Sequence, residues 1–129
     1  MKKQVVLITG CSSGIGRALC LAFHQAGYIV AATARNVDAI SDLKEKGMMT
    51  DALDVNDPDQ VKSVVGRILE RQKQIDVLVN NAGYALIGPA VEIPHEELVR
   101  QFQTNVFAAL SLVGAVAPSM KALNKGLII

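Results

Sequence analysis

The stretch from Val5 to Ala26 constrains the fold more than any other part of the chain. Val5-Val6-Leu7-Ile8 is a β-branched and apolar run suited to a buried strand. Thr9-Gly10-Cys11-Ser12-Ser13-Gly14-Ile15-Gly16 breaks it. Arg17 to Ala26 then continues at helical spacing, with Ile15, Ala18, Leu19, Ala22 and Phe23 on one face. A strand, a glycine-rich turn and a helix in succession present free backbone N–H groups and a helix N-terminus to a phosphate. In that geometry Gly10 permits a sharp exit from the strand and Gly14 lets the backbone approach a pyrophosphate. Gly16 lets the helix lie close to the sheet. The spacing is Gly-x-x-x-Gly-x-Gly rather than the commoner Gly-x-Gly-x-x-Gly. On the turn alone, a tight strand-to-helix connection that binds nothing stays open.

Strands and helices alternate through the rest of the chain. Gly27 closes the first helix, and Tyr28 to Thr33 is a second short apolar strand. Ala34-Arg35-Asn36 follows, about twenty residues after the glycines, where dinucleotide folds face the adenosine ribose. An acid there would take a ribose hydroxyl and repel a 2′-phosphate. Ala34 and Arg35 offer no carboxylate and one guanidinium, whose fork suits a phosphate; a solvated surface Arg is the alternative. Asn36 can cap a second helix, Val37 to Lys46, stopped by Gly47. Met48 to Leu53 is a weak third strand closed by Asp54-Val55. Asp57-Pro58-Asp59-Gln60 starts a helix that carries Val61, Val64, Val65, Ile68 and Leu69 on one stripe to about Gln72.

Ile75 to Val79 is a fourth strand and runs into Asn80-Asn81-Ala82-Gly83. In an open parallel sheet this places the four residues at the same edge as Gly10 to Gly16. Asn80 can tie neighbouring strand ends together through its amide, although an ordinary Asn-Gly-type turn is the simpler reading. Tyr84 to Ile93 is a loop with apolar patches along the expected cleft. A long helix from Pro94 or His95 to Ala122 has Leu98, Phe102, Val106, Ala109, Leu110, Val113, Val116 and Met120 as its inward stripe. Asn105 falls inside that stripe, where it either satisfies the core locally or bends the helix to hold a water or catalytic group. Pro118 should kink or end the helix. Gly126 to Ile129 begins a fifth strand, after which the sequence stops.

Composition narrows the partners. The chain has 129 residues, 50% apolar and 19% charged, with net charge +1, which fits one domain with a substantial core. No basic block or Trp suggests nucleic acid, and no stretch is long or apolar enough for an obvious membrane span. Cys11 and Cys20 read as reduced thiols without metal-ligand spacing. The apolar run after Met1-Lys2-Lys3 is too short for a signal peptide, so a cytoplasmic location is expected. The expected fold is an α/β, doubly wound parallel sheet with right-handed crossovers.

Taken together and in this order, Thr9 to Gly16, Asp54-Val55, Asn80-Asn81-Ala82-Gly83 and Asn105-Val106 resemble the short-chain dehydrogenase/reductase family. The resemblance covers the whole chain. It implies a Rossmann-like sheet of strand order 3-2-1-4-5, truncated at the fifth strand, as a single cofactor-binding domain over 1–129. It implies that Gly10, Ser12, Ser13, Gly14, Ile15 and Gly16 hold the pyrophosphate and adenosine side. Arg35 would select NADP over NAD, with NAD still possible. Asp54 with Val55 would reach the adenine, and Asn80, Asn81, Ala82 and Gly83 would line the riboses. Asn105 would be the catalytic Asn that holds a water in a proton relay.

The family's catalytic Ser and Tyr-x-x-x-Lys lie beyond the fifth strand. Neither Tyr28 nor Tyr84 is followed by Lys four residues on. The resemblance therefore implies an NADP-dependent oxidoreductase that moves a hydride between nicotinamide and a carbonyl or alcohol, with this stretch as its N-terminal half. The alternative is a catalytically inactive nucleotide-binding or partner-dependent fragment. A flavodoxin-like signalling domain fits the fold class but leaves Asn80 to Gly83 and Arg35 unexplained. Ala85-Leu86-Ile87 hints at an apolar ketone or alcohol as substrate, and the long helix at a homo-oligomer.

Overall fold

A strand buried on both faces needs an apolar side chain at every position, and Val5–Ile8 supplies four. In the computed structural model, which describes residues 2–129, this run is strand β1 and all four side chains are fully buried. β1 pairs in parallel with β2 (Ile29–Ala34) on one side and β4 (Val77–Val79) on the other. β3 (Met49–Ala52) adds outside β2, and β5 (Leu127–Ile128) outside β4. The order β3-β2-β1-β4-β5 is the one expected of the fold class.

Alternation along β1 feeds two cores. Val5 and Leu7 pack with Val61, Val64 and Ile68 of helix α3 (Pro58–Gln72) and with Leu112 and Val116 of helix α5 (Ala108–Ala122). Val6 and Ile8 face Cys20 of α1 (Gly14–Gln25) and Leu43 of α2 (Ser41–Glu45). Each such aliphatic side chain contributes about 1.5–3 kcal/mol on burial. The central strand is thus the element both helical layers share.

Local signals act largely as expected. Gly27 adopts φ +90° after α1 and Gly47 φ +92° after α2, both left-handed helix stops. Asp57 accepts from Asp59 N and Gln60 N at 3.0 and 3.2 Å, capping α3 with Pro58 in its first turn. Gln60 Nε2 returns a bond to Asp57 at 3.1 Å, while its Oε1 accepts from Asp54 N at 2.8 Å.

Several expectations need correction. The single helix expected over Val37 to Lys46 is a 3₁₀ turn, Val37–Ile40, followed by the short α2. In the tighter turn Val37 and Ile40, three apart, eclipse one another and both pack on the sheet. The fully buried residues of α1 are Gly16 and Cys20, and Leu19 and Phe23 pack against the core as expected; Ala18 and Ala22 are exposed, and Ile15, expected inward, is 72% exposed where the first turn overhangs the end of the sheet. The long helix is α4 (His95–Phe102), a π-helical segment Gln103–Phe107, then α5. The wide turn inserts a residue and rotates the face that follows it. Beyond it Ala108 and Leu112 are buried, along with Val116 and Met120 as expected, while Val106 and Leu110 are 41% and 62% exposed; Phe102, just before the segment, is 54% exposed.

Pro118 does not end α5, which runs on to Ala122. The carbonyl it deprives of a bond is that of Gly114, at an exposed position open to water. Contrary to expectation, the 28-residue helical stretch His95–Ala122, which contains an 18-residue run of mean hydropathy 1.3, is long and apolar enough by composition to cross a membrane. One stripe of it packs into the core against α3.

At the N-terminal ends of the strands, Asp76 ties three of them together. Its Oδ2 accepts from Val5 N at 2.8 Å and Gln74 Nε2 at 2.7 Å. Oδ1, which has no other partner, faces Lys125 Nζ at 2.8 Å. Burial works to raise its pKa, but the hydrogen bonds from Lys125, the Val5 N–H and Gln74 outweigh it and hold the carboxyl below its usual value.

Candidate functional site

At the carboxyl ends of the strands, buried polar groups bind three elements into one rim. Thr9 follows β1 and is 1% exposed, so its hydroxyl needs partners. Thr9 Oγ1 accepts from Asn81 N at 3.0 Å and Ala82 N at 2.9 Å. Asn81 Nδ2 donates back to Thr9 O and Gly10 O, each at 3.0 Å. On the other flank Cys11 N donates to Thr33 O at 2.8 Å, and Thr33 Oγ1 donates to Ile8 O at 3.0 Å. The tie expected of Asn80 is thus made by Asn81. Asn80 lies one residue nearer the strand and still belongs to the ladder: its N–H donates to Ile129 O at 2.8 Å and its Nδ2 to Ala109 O at 3.4 Å.

The glycine turn is shaped against this rim. Gly10 has φ +69°, and a Cβ there would lie 3.0 Å from Ala82 Cα. A Cβ on Gly16 would fall 2.2 Å from Gly10 O and 2.4 Å from Asn81 Nδ2, so the start of α1 can sit this deep only as glycine. Gly14, at φ +58°, faces open space. Ser13 precedes α1 in an extended conformation without a side-chain cap, and the first turn carries no acid. The leading N–H groups of α1 therefore remain available to an external anion.

These parts enclose a cleft of about 810 Å³. Of the residues singled out in the sequence, Gly10, Ser12, Ser13, Gly14, Ile15, Arg35, Asp54, Val55, Asn81, Ala82 and Gly83 line it. Gly16 lies beneath the turn, and Asn80 and Asn105 stand behind the wall. Arg35 is exposed at the mouth, and among the described residues no carboxylate pairs with it. Asp54 Oδ1 accepts from Asn56 N at 2.9 Å. Asn56 Nδ2 reaches Thr104 Oγ1 at 2.9 Å, joining the loop after β3 to the π segment.

Asn105 lies in the π segment and is exposed rather than inward, so it does not satisfy a core position as the local reading expected. Both ends of its side chain are engaged. Oδ1 accepts from Tyr84 N at 3.0 Å and Nδ2 donates to Tyr84 O at 2.6 Å. Its Oδ1 would lie 2.9 Å from a Cβ on Gly83, so the loop approaches this closely only through a glycine. Ile87, expected along the cleft, points to solvent at 96% exposure, and the cleft wall at this end is Tyr84.

Sequence reasoning missed Thr9 as the clamp and Thr104 as a lining residue. Thr9 carried a usable signal, since a hydroxyl between a fully apolar strand and a glycine has to be buried and paired. Thr104 carried none, because its place depends on the π turn.

The arrangement fits a dinucleotide: uncapped helix N–H groups, a turn without side-chain bulk, small residues on the far wall and one free guanidinium share a single cleft. Known proteins agree with this. The short chain dehydrogenase family model matches residues 4–129. An NADPH-dependent 1-acyldihydroxyacetone phosphate reductase of Schizosaccharomyces pombe is 38% identical over 112 residues, 85% of this chain and 38% of that protein. A 3-ketodihydrosphingosine reductase of Bacteroides thetaiotaomicron is 36% identical over 130 residues, 100% of this chain and 46% of that protein. The crystal structure of a short-chain dehydrogenase from Streptomyces avermitilis superimposes with a TM-score of 0.95 at 36% identity, covering 99% of this chain and 48% of that one. The chain thus spans less than half the length of these relatives. Over the residues it does span, it belongs to the short-chain dehydrogenase family.

Proposed function

We infer that residues 1–129 form the dinucleotide-binding unit of an NADP-dependent oxidoreductase acting on a carbonyl or alcohol. The observation that carries this is the shared cleft: the α1 N-terminus, Arg35 and the Asn81–Gly83 wall open onto one space. The bound cofactor would supply the hydride. Gly10, Ser12, Ser13, Gly14 and Ile15 would bind its phosphates through the turn and the first N–H groups of α1, with Gly16 letting α1 sit close beneath. Arg35 would take the 2′-phosphate, making NADP preferred and NAD the weaker alternative. Asp54 and Val55 would meet the adenine, while Asn81, Ala82 and Gly83 would stand beside the riboses, with Asn80 supporting them. That one relative is named as NADPH-dependent supports the cofactor preference.

The side-chain amide of Asn105 is committed to Tyr84 at both ends. Any share it has in a proton relay would therefore fall to its main-chain groups in the π segment. Exposed apolar groups beside the cleft favour an apolar ketone or alcohol as substrate. A second copy of the chain is the proposed partner for the exposed face of the long helix, and the buried free thiols suit a cytoplasmic setting.

Titration of the chain with NADPH and NADH, followed by nicotinamide fluorescence, tests this reading. NADPH should bind more tightly, and Arg35→Asp should cut the preference by about tenfold or more, the scale of one charge-assisted contact. Equal affinities would remove the NADP assignment, and no binding of either nucleotide would remove the function.

A further inference from the structure

The loop 83–91 that forms the wall beyond Gly83 belongs to no strand or helix. Its first part is held by side chains of the long helix. Asn105 grips Tyr84 through two hydrogen bonds, of 3.0 and 2.6 Å. Gln101, four residues earlier, accepts from Leu86 N at 2.6 Å through its Oε1. The two amides therefore secure alternate residues of one short backbone stretch. Leu86 is half-buried, so its N–H could not simply turn to bulk water if Gln101 were absent. Tyr84, fixed from both sides, lines the cleft.

Sheet order separates the two ends of that cleft. Arg35 follows β2 and Tyr84 follows β4, with β1 and its glycine turn between them. If Arg35 takes the 2′-phosphate and the turn the pyrophosphate, the Tyr84 end is left for the nicotinamide half. We propose that Gln101 is a positioning residue of this site: it holds Leu86 and thereby keeps Tyr84 in place as the wall beside the nicotinamide. The proposal rests on the dinucleotide reading above. Asn105 alone pins one residue and leaves the backbone beyond it free to pivot; the Gln101 bond at Leu86 removes that pivot.

Two ligands distinguish this role from a general structural one. NADPH spans the whole cleft, whereas 2′,5′-ADP carries the adenosine and both phosphates without nicotinamide. Gln101→Leu removes the acceptor. It should weaken NADPH about three- to tenfold, the scale of one lost hydrogen bond, and leave 2′,5′-ADP unchanged. Gln101→Glu retains an acceptor oxygen and should restore NADPH binding. Amide hydrogen exchange at Leu86 should accelerate about tenfold in Gln101→Leu and return toward the parent rate in Gln101→Glu. Unaltered 2′,5′-ADP binding also certifies that the Leu variant is folded. Equal loss of both ligands, no loss of either, or unchanged Leu86 exchange would overturn the role of Gln101 while leaving the dinucleotide reading intact. A parent chain that binds neither ligand would overturn that reading and this inference with it.

Discussion

Gly16 and Gly14 sit two residues apart and serve different physical needs, which substitution should separate. At Gly16 a Cβ would collide with backbone, 2.2 Å from Gly10 O, and with the Asn81 amide that ties the rim together. Gly16→Ala should therefore lower stability by about 1–3 kcal/mol through overpacking and abolish nucleotide binding, because the turn itself must move. Gly14 has room around it, and its φ of +58° is the constraint. Gly14→Ala should cost about 1 kcal/mol in strain and leave the rim intact. Urea unfolding alongside NADPH titration checks both; similar losses at the two positions would mean that steric fit beneath the turn is not what Gly16 provides. Glycines of this kind were legible as letters because spacing alone marks them. Which asparagine clamps the rim was not: Asn80 and Asn81 are adjacent and chemically identical, and only the end of the β4 ladder decides which one turns toward Thr9.

The long helix shows what periodicity captures and where it fails. Its extent, from His95 to Ala122, was readable from the apolar pattern, and so were Val116 and Met120 of its buried face, but Phe102, Val106 and Leu110 are not inward. A period of 3.6 residues assumes unbroken register, and the π segment Gln103–Phe107 breaks it, so that Ala108 and Leu112 face inward where Val106 and Leu110 do not. The displaced apolar residues become an exposed stripe, with Phe107 53% and Leu110 62% exposed. Isolated exposed apolar side chains are ordinary, and a stripe along one helix face is where the second copy proposed above would dock. Phe107→Glu combined with Leu110→Glu should weaken self-association of the chain about tenfold or more in sedimentation velocity, with the far-UV circular dichroism unchanged. If the parent and the double variant sediment alike across a concentration series, that face is not where copies meet.

Across the molecule, a doubly wound parallel sheet with its turns clustered at one end followed from alternation of strands and helices, whereas the strand order β3-β2-β1-β4-β5 came only with the family resemblance. The opposite end held a feature that no pattern announced. Asp76 reads as one polar residue inside an apolar strand, yet it joins the starts of β1 and β4 to Lys125 ahead of β5. Its folded-state pKa is lowered, so the folded protein favours the carboxylate more than the unfolded chain does. The stability it contributes is complete above the unfolded carboxylate range near pH 4 and is lost as pH falls through that range toward the lower folded value. Asp76→Asn keeps the shape and removes both the charge and one acceptor, leaving either Lys125 or the Val5 N–H and Gln74 amide together without an acceptor. It should cost about 1–3 kcal/mol at pH 7 and less at pH 3, since the parent has by then begun to lose the same interaction. Urea midpoints measured from pH 3 to 7 should therefore converge for the two proteins on the acid side. Parallel profiles would show that the carboxylate is spectator to the strand junction, and a larger gap at pH 3 would reverse the assigned sign.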